Sequence, residues 1–310
     1  MNILEVKNVS KFYAEHQALN DVSIMVPEGC IYGLLGPNGA GKTSLIRIIT
    51  QITGADTGEV LFEGVRIKPS DVYRIGYLPE ERGLYKKMEV GEQLLYFAQL
   101  KGLGRQESLK RLRIWVDKFE IKSWWKKKVE ELSKGMQQKI QFIATVLHEP
   151  RLLILDEPFS GFDPVNAAII TEEILKLKEQ GCSIIFSTHR METVEQLCDH
   201  IALINQSKKI LEGSVKEVRE QFKTNIYEIE YIGNNLNLGP EVDISEVKTY
   251  DDNHKLVMIR SNQNVSPNTI LTQAIQQVEV YRFNEKLPDM HDIFIRLVSE
   301  SNNEKKFLNS

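Results

Sequence analysis

Eight residues constrain this chain more than any others. Gly36-Pro37-Asn38-Gly39-Ala40-Gly41-Lys42-Thr43 follows the apolar run Cys30-Ile31-Tyr32-Gly33-Leu34-Leu35 and precedes Ser44 to Thr50, where Leu45, Ile46, Ile48 and Ile49 suit a buried helix. Strand, glycine-rich loop and helix in that order call for an α/β arrangement. The loop fits G-x-x-x-x-G-K-[ST], a pattern with a physical use in this setting. Gly36, Gly39 and Gly41 permit positive φ and close backbone approach, so successive N–H groups can turn toward an anion while the helix start adds positive potential. Such a cradle holds a nucleotide by its phosphates. Lys42 reaches the β- and γ-phosphates, Thr43 presents a hydroxyl to Mg2+, and Ser44 can donate to an α-phosphate oxygen.

Further on, Leu152-Leu153-Ile154-Leu155 delivers two adjacent carboxylates, Asp156 and Glu157, at the end of an apolar strand. Parallel sheets place their ligands at that end of their strands. Asp156 can hold the Mg2+ shell, and Glu157 is the candidate base that orients and deprotonates an attacking water.

The rest of the chain divides by texture. Residues 1–32 alternate short apolar runs with turn signals such as Pro27-Glu28-Gly29, predicting an antiparallel β entry. From about 86 to 148 the period becomes helical, predicting an inserted helical subdomain, with Gly102 and Gly104 between two helices. Strands return at 152–155, 183–186 and 201–204 with a helix over 165–179, so β and α alternate as in a parallel sheet. After about 223 the pattern changes again: alternation around Tyr227 and Met258, a helix capped by Ser266-Pro267, a strand from Val278, and a helix from Pro288. That predicts a first domain over 1–223 and a small α+β domain over 224–310. Residues 225–310 carry eight basic and thirteen acidic side chains, whereas the remainder is nearly neutral.

Three further signals lie along this division. Leu132-Ser133-Lys134-Gly135-Met136-Gln137, 24 positions before Asp156, resembles the LSGGQ signature of ATP-binding-cassette (ABC) ATPases. Tyr13 stands where that family stacks an aromatic ring on adenine, and Pro79-Glu80 falls where its Q-loop lies. Ser160-Gly161-Phe162-Asp163 resembles its D-loop, and Ser187-Thr188-His189 its switch histidine. The resemblance covers residues 1 to about 222. It implies a P-loop NTPase fold: a RecA-like parallel sheet core, the antiparallel β entry and the inserted helical subdomain, with the C-terminal α+β domain as an accessory.

The resemblance also implies a mechanism. Two copies pair head to tail, each ATP held between one P-loop and the partner's Ser133 and Gly135, with His189 at the γ-phosphate and Asp163 where the copies meet. Separate membrane-spanning permease subunits are then required, placing the chain in the cytoplasm on the inner face of the membrane. Lys134 replaces a signature glycine and Glu80 replaces the Q-loop glutamine; a carboxylate can ligate Mg2+ but donates no N–H when ionised. These departures and the C-terminal extension resemble the branch that drives ABC-2-type exporters, including bacterial sodium-efflux systems.

Composition narrows the alternatives. The net charge of −4 supplies no overall basic field for neutralising nucleic-acid phosphates. No stretch reaches the ~18 consecutive apolar residues of a membrane span. Cys30, Cys182 and Cys198 stand singly and read as small buried hydrophobes, and the histidines other than His189 as ordinary ones. A soluble ATPase acting on ribosomes or DNA, and an ATP-gated switch with little turnover, stay as alternative functions.

Overall fold

The computed structural model describes residues 1–81, 83–160, 162–234, 236–250, 254–262 and 265–308. It forms two compact units, one of residues 1–215 with 298–310 and one of 216–297.

The first unit opens on a long hairpin, β1 (Asn2–Tyr13) and β2 (His16–Pro27). Alternation along it buries Leu4, Val6 and Val9 with Leu19, Val22, Ile24 and Val26. β3 (Ile31–Leu35) is buried at every position, as a central parallel strand with both faces covered must be. α1 (Lys42–Ile49) follows, then β4 (Thr57–Phe62) and β5 (Val65–Arg66), completing an antiparallel sheet of order β2-β1-β4-β5.

β6 (Ile75–Leu78) leads into three helices, α2 (Val90–Leu100), α3 (Arg105–Lys118) and α4 (Lys134–Val146). Trp115 of α3 and Phe119, which caps its C-terminal end, pack on Phe142 of α4, with ring centroids 6.2 and 6.3 Å from it. An added Cβ on Gly91 would meet the Trp125 ring at 2.3 Å, so this glycine makes room for the indole, while Lys126 to Lys128 are exposed.

The chain then alternates: β7 (Leu152–Asp156), α5 (Pro164–Glu179), β8 (Ser183–Thr188), α6 (Met191–Leu197), β9 (His200–Asn205) and β10 (Lys208–Ser214). The second sheet has the order β10-β9-β3-β8-β7-β6, parallel throughout except for the antiparallel β10. β7 and β8 are wholly buried, and each fully buried Leu or Ile contributes about 1.5–3 kcal/mol. This order sets the C-terminal ends of β3, β8 and β7 side by side: Leu35 pairs with Thr188, and Asp156 with Ser187. Three loops far apart in sequence therefore open at one place.

α7 (Val215–Gln221) leads into the second unit: β11 (Ile226–Ile232), β12 (Val242–Thr249), β13 (His254–Ser261), α8 (Pro267–Ile275), β14 (Glu279–Glu285) and the start of α9 (Met290–Leu308). Its antiparallel sheet runs β12-β13-β11-β14. Tyr227, Ile229, Tyr231, Val257 and Ile259 pack one face against Ile270 and Ala274 of α8. Ser266 caps α8 as its sequence predicts, accepting from the Thr269 N–H at 3.2 Å ahead of Pro267.

All three cysteines are buried free thiols, and burial pushes each up to about 12. Among the described residues no helix is long and apolar enough to cross a membrane.

Candidate functional site

The loop after β3 curls because its glycines take backbone angles that other residues resist. Gly36 (φ 149°) lies so close to the Ile204 carbonyl that an added Cβ would fall 2.1 Å from its oxygen. Gly41 (φ 115°) is pressed likewise against the Ala18 carbonyl, at 2.4 Å, and starts α1 in a left-handed conformation. Lys42 folds back over this loop, its ammonium donating to the Gly36 carbonyl at 2.7 Å and the Pro37 carbonyl at 3.1 Å. Burial holds Lys42 below the usual lysine range, and the carboxylates of Glu157, Asp156 and Glu80 oppose that shift.

Those carboxylates come from the neighbouring strand ends. Asp156 closes β7 and is 4% exposed; burial pushes its carboxyl above the usual range, with Glu80 and Glu157 adding like charge. Glu157 turns out of the strand at φ 48°, its N–H donating to the Ser187 carbonyl at 2.9 Å. Its side chain meets His189, with Nδ1 2.7 Å from Oε1, while the Thr188 hydroxyl donates to Oε2 at 3.4 Å. An ionised carboxylate only accepts, so Nδ1 carries the proton of this bond.

Together these groups line a cavity of about 380 Å3. Asn38, Gly39, Gly41, Lys42, Thr43 and Ser44 form its floor. Glu80, Asp156, Glu157 and His189 form one wall, and Tyr13 at the hairpin tip another. Gly36, Pro37 and Ala40 are not in the lining; the first two hold Lys42 through their carbonyls. His16, read from sequence as an ordinary histidine, lines the cavity beside Tyr13 because the tight β1–β2 turn delivers both. Tyr13's place at a hairpin tip was the available signal for it.

Ser133, Gly135 and Asp163 lie outside this cavity. Ser133 caps α4, its hydroxyl accepting from the Met136 N–H at 3.3 Å, and Asp163 caps α5 by accepting from the Val165 and Asn166 N–H groups at 3.0 Å. The Asn166 N–H is the chief group holding the Asp163 carboxyl below its usual range. An added Cβ on Gly135 would stand 3.9 Å from the Asn166 amide nitrogen, so the two helix starts are neighbours. Lys134 is exposed, and Gly161 lies outside the described residues. Gln141 of α4 donates weakly to the Pro79 and Glu81 carbonyls, both at 3.4 Å, linking the signature helix to the Glu80 loop.

A family profile described as "ABC transporter" matches residues 19–160, from the hairpin to the loop after Glu157. The "Uncharacterized ABC transporter ATP-binding protein YhaQ" of Bacillus subtilis (strain 168) is 40% identical across 96% of this chain and 98% of its own length. The chain belongs to the ABC transporter ATP-binding proteins. It is a family that hydrolyses ATP. A second profile, "ATP-binding protein DrrA1-3-like, C-terminal domain", matches 213–298 of this ABC ATPase. A shorter match, described as "AAA domain, putative AbiEii toxin, Type IV TA system", covers 128–195. The "Lantibiotic transport ATP-binding protein SrtF" of Streptococcus pyogenes is 33% identical over 68% of this chain and 90% of its own. Among solved structures, one titled "Structure of ATP binding subunit of ABC transporter" shares 32% identity at a TM-score of 0.67, covering 71% of this chain and 93% of that one.

Proposed function

We propose that this ABC ATPase is the motor of an exporter: it closes on ATP as a head-to-tail dimer, hydrolyses it, and passes the motion to separate membrane-spanning permease subunits. The observation that carries the reading is the convergence of Lys42, Asp156 and the hydrogen-bonded Glu157–His189 pair on one cleft. Residues 36–44 cradle the phosphates, and Tyr13 stacks on the adenine. Glu157 takes the proton of the attacking water, and His189 contacts the γ-phosphate through Nε2.

Thr43, Asp156 and Glu80 are hard oxygen donors suited to Mg2+, which offsets the charge on the transferring phosphoryl group. Among the described residues no three acidic, cysteine or histidine side chains cluster closely enough to hold a metal by themselves. That fits an ion that takes most of its ligands from phosphates and water.

The exposed start of α4 gives Ser133 and Gly135 a place to meet the partner's γ-phosphate, a helix N-terminus favouring an anion, while Asp163, which caps the neighbouring start of α5, lies where the two copies meet. For the permease, an apolar groove of about 340 Å3 runs between Val72, Tyr77 and Pro79 on one side and Phe97, Leu100 and Ala144 on the other. Tyr77 and Pro79 flank the end of β6 just before Glu80, and Ala144 lies on α4, so a helix seated there feels both the Glu80 loop and the signature helix. The relative named for lantibiotic transport supports a transport role. We place the functional boundary at 223/224, with 224–310 as an accessory domain.

The test is ATP-driven dimerisation of Glu157→Gln by sedimentation. Adding Ser133→Ala to it is expected to weaken the dimer while leaving nucleotide binding to the monomer intact. A Ser133→Ala variant that dimerises as well as its parent contradicts the paired-site reading.

A further inference from the structure

A phosphate cradle needs its carbonyls held outward as much as its N–H groups held inward. In a trans peptide the C=O and the following N–H point in opposite directions, so an outward Ala40 carbonyl fixes the Gly41 N–H on the inner side. The described chain has no cis peptide, and the Ala40 carbonyl accepts from the Ser207 N–H at 3.0 Å. Ser207 belongs to the tight turn between β9 and β10, where Gln206 (φ 46°) and Ser207 (φ 68°) are both left-handed.

The same residue grips the hairpin wall of the cleft. Its hydroxyl donates to the Gln17 carbonyl at 2.6 Å, and its own carbonyl accepts from the Asn20 N–H at 2.7 Å. Ile204, just before the turn, is the residue whose carbonyl crowds Gly36. One turn thus touches both ends of the phosphate loop and the strand that carries His16 and Ala18.

What holds the turn is the far end of the chain. Asn205 is 3% exposed, and its amide donates to the Ser301 hydroxyl and to Asn302 Oδ1, both at 3.2 Å. The Gln206 amide donates to the same Asn302 oxygen at 2.5 Å. Asn302 Oδ1 therefore receives two donors from a turn that reaches no nucleotide itself.

We infer that the Ser301–Asn302 segment of α9 and the β9–β10 turn are positioning residues for the P-loop, so that the C-terminal end of the chain sets the affinity for ATP. The inference rests on the cleft being the ATP site. Displacing α9 from Asn205 and Gln206 loosens the turn, frees the Ala40 carbonyl to swing, and disorders the N–H groups that face the phosphates. Anything that draws the C-terminal helix away then lowers nucleotide affinity without touching the groups that break the bond.

The test is ATP binding by calorimetry and steady-state turnover on the full chain, comparing Asn302→Ala, Asn302→Asp and Gln206→Ala. Asn302→Ala removes the acceptor and is expected to raise Kd and KM for ATP roughly three- to tenfold, the range one net hydrogen bond spans, with kcat little changed. Asn302→Asp keeps an acceptor and is expected to bind like wild type. Gln206→Ala, which removes one of the two donors to Asn302, gives a second reading of the same link if Asn302→Ala folds poorly. Unchanged ATP affinity in both alanine variants overturns the inference, as does an aspartate variant as weak as the alanine one. A wild-type chain that binds no ATP would instead overturn the reading of the cleft.

Discussion

Replacing Glu157 by glutamine isolates its chemistry from its packing. The side chain is only 12% exposed, and glutamine fills nearly the same space. The amide oxygen still accepts from His189 Nδ1, the 2.7 Å bond, and only the weaker 3.4 Å contact with Thr188 must rearrange. The fold and the nucleotide cleft should therefore persist while the group able to take a proton is gone. General-base catalysis is worth roughly 10²–10⁴-fold, or about 2.7–5.4 kcal/mol of activation free energy at 1.36 kcal/mol per tenfold. The assay is phosphate release at saturating Mg2+ and ATP beside direct ATP binding: turnover should fall by that factor with Kd little changed. His189→Ala should lower turnover as well, and the double variant should be little worse than Glu157→Gln, because the two groups act as a unit. Turnover within a few-fold of wild type in Glu157→Gln would remove Glu157 from the mechanism. Loss of ATP binding along with turnover would show that its role is structural.

Other parts of the cleft give sharp expectations. Burial raises the Asp156 carboxyl above its unfolded pKa, so its contribution to stability is fully present below that pKa and is lost as pH rises through the folded value. Asp156→Asn should consequently raise the melting temperature of the nucleotide-free protein at neutral pH while abolishing Mg2+-dependent turnover; a lower melting temperature contradicts this. Lys101 has the reverse sign: burial lowers it from 10.5 to about 8 while its ammonium donates to the Val72 and Ile75 carbonyls. The unfolded chain then binds the extra proton, so thermal stability should gain a rising component between pH 8 and 10.5, which Lys101→Met removes. Gly36→Ala adds a clash with the Ile204 carbonyl to the backbone strain at φ 149°, whereas at Gly39 (φ 79°) an added Cβ meets nothing within 4 Å. Strain alone costs about 1–3 kcal/mol, so Gly39→Ala should lower the melting temperature measurably and Gly36→Ala considerably further.

What could be read without coordinates was what lies contiguous in sequence. The loop Gly36–Thr43 and the pair Asp156-Glu157 each announce their chemistry within a few residues, and the fully buried strands β3, β7 and β8 read as unbroken apolar runs. The Glu157–His189 pair spans 32 positions and exists only because β7 and β8 are neighbours, so from residues alone its two halves stood apart. Edge strands left little trace: β12 buries only Val242, and β10 has no fully buried residue to mark a period. The bond from Ser207 to Ala40 runs between backbone groups, which no side-chain pattern reports. His16 escaped for a similar reason, its place depending on where a hairpin tip lands rather than on its neighbours in sequence.

The claim at the centre of this account is that the cleft drives a membrane partner. It is tested most directly by tagging the Glu157→Gln chain in its native cell, extracting membranes in mild detergent with ATP present, and identifying what co-purifies. The account predicts stoichiometric recovery of multi-span membrane proteins, more completely with Glu157→Gln than with wild type because the closed state is trapped. Recovery of ribosomes, nucleic acid or the chain alone, with the ATPase intact, would contradict it.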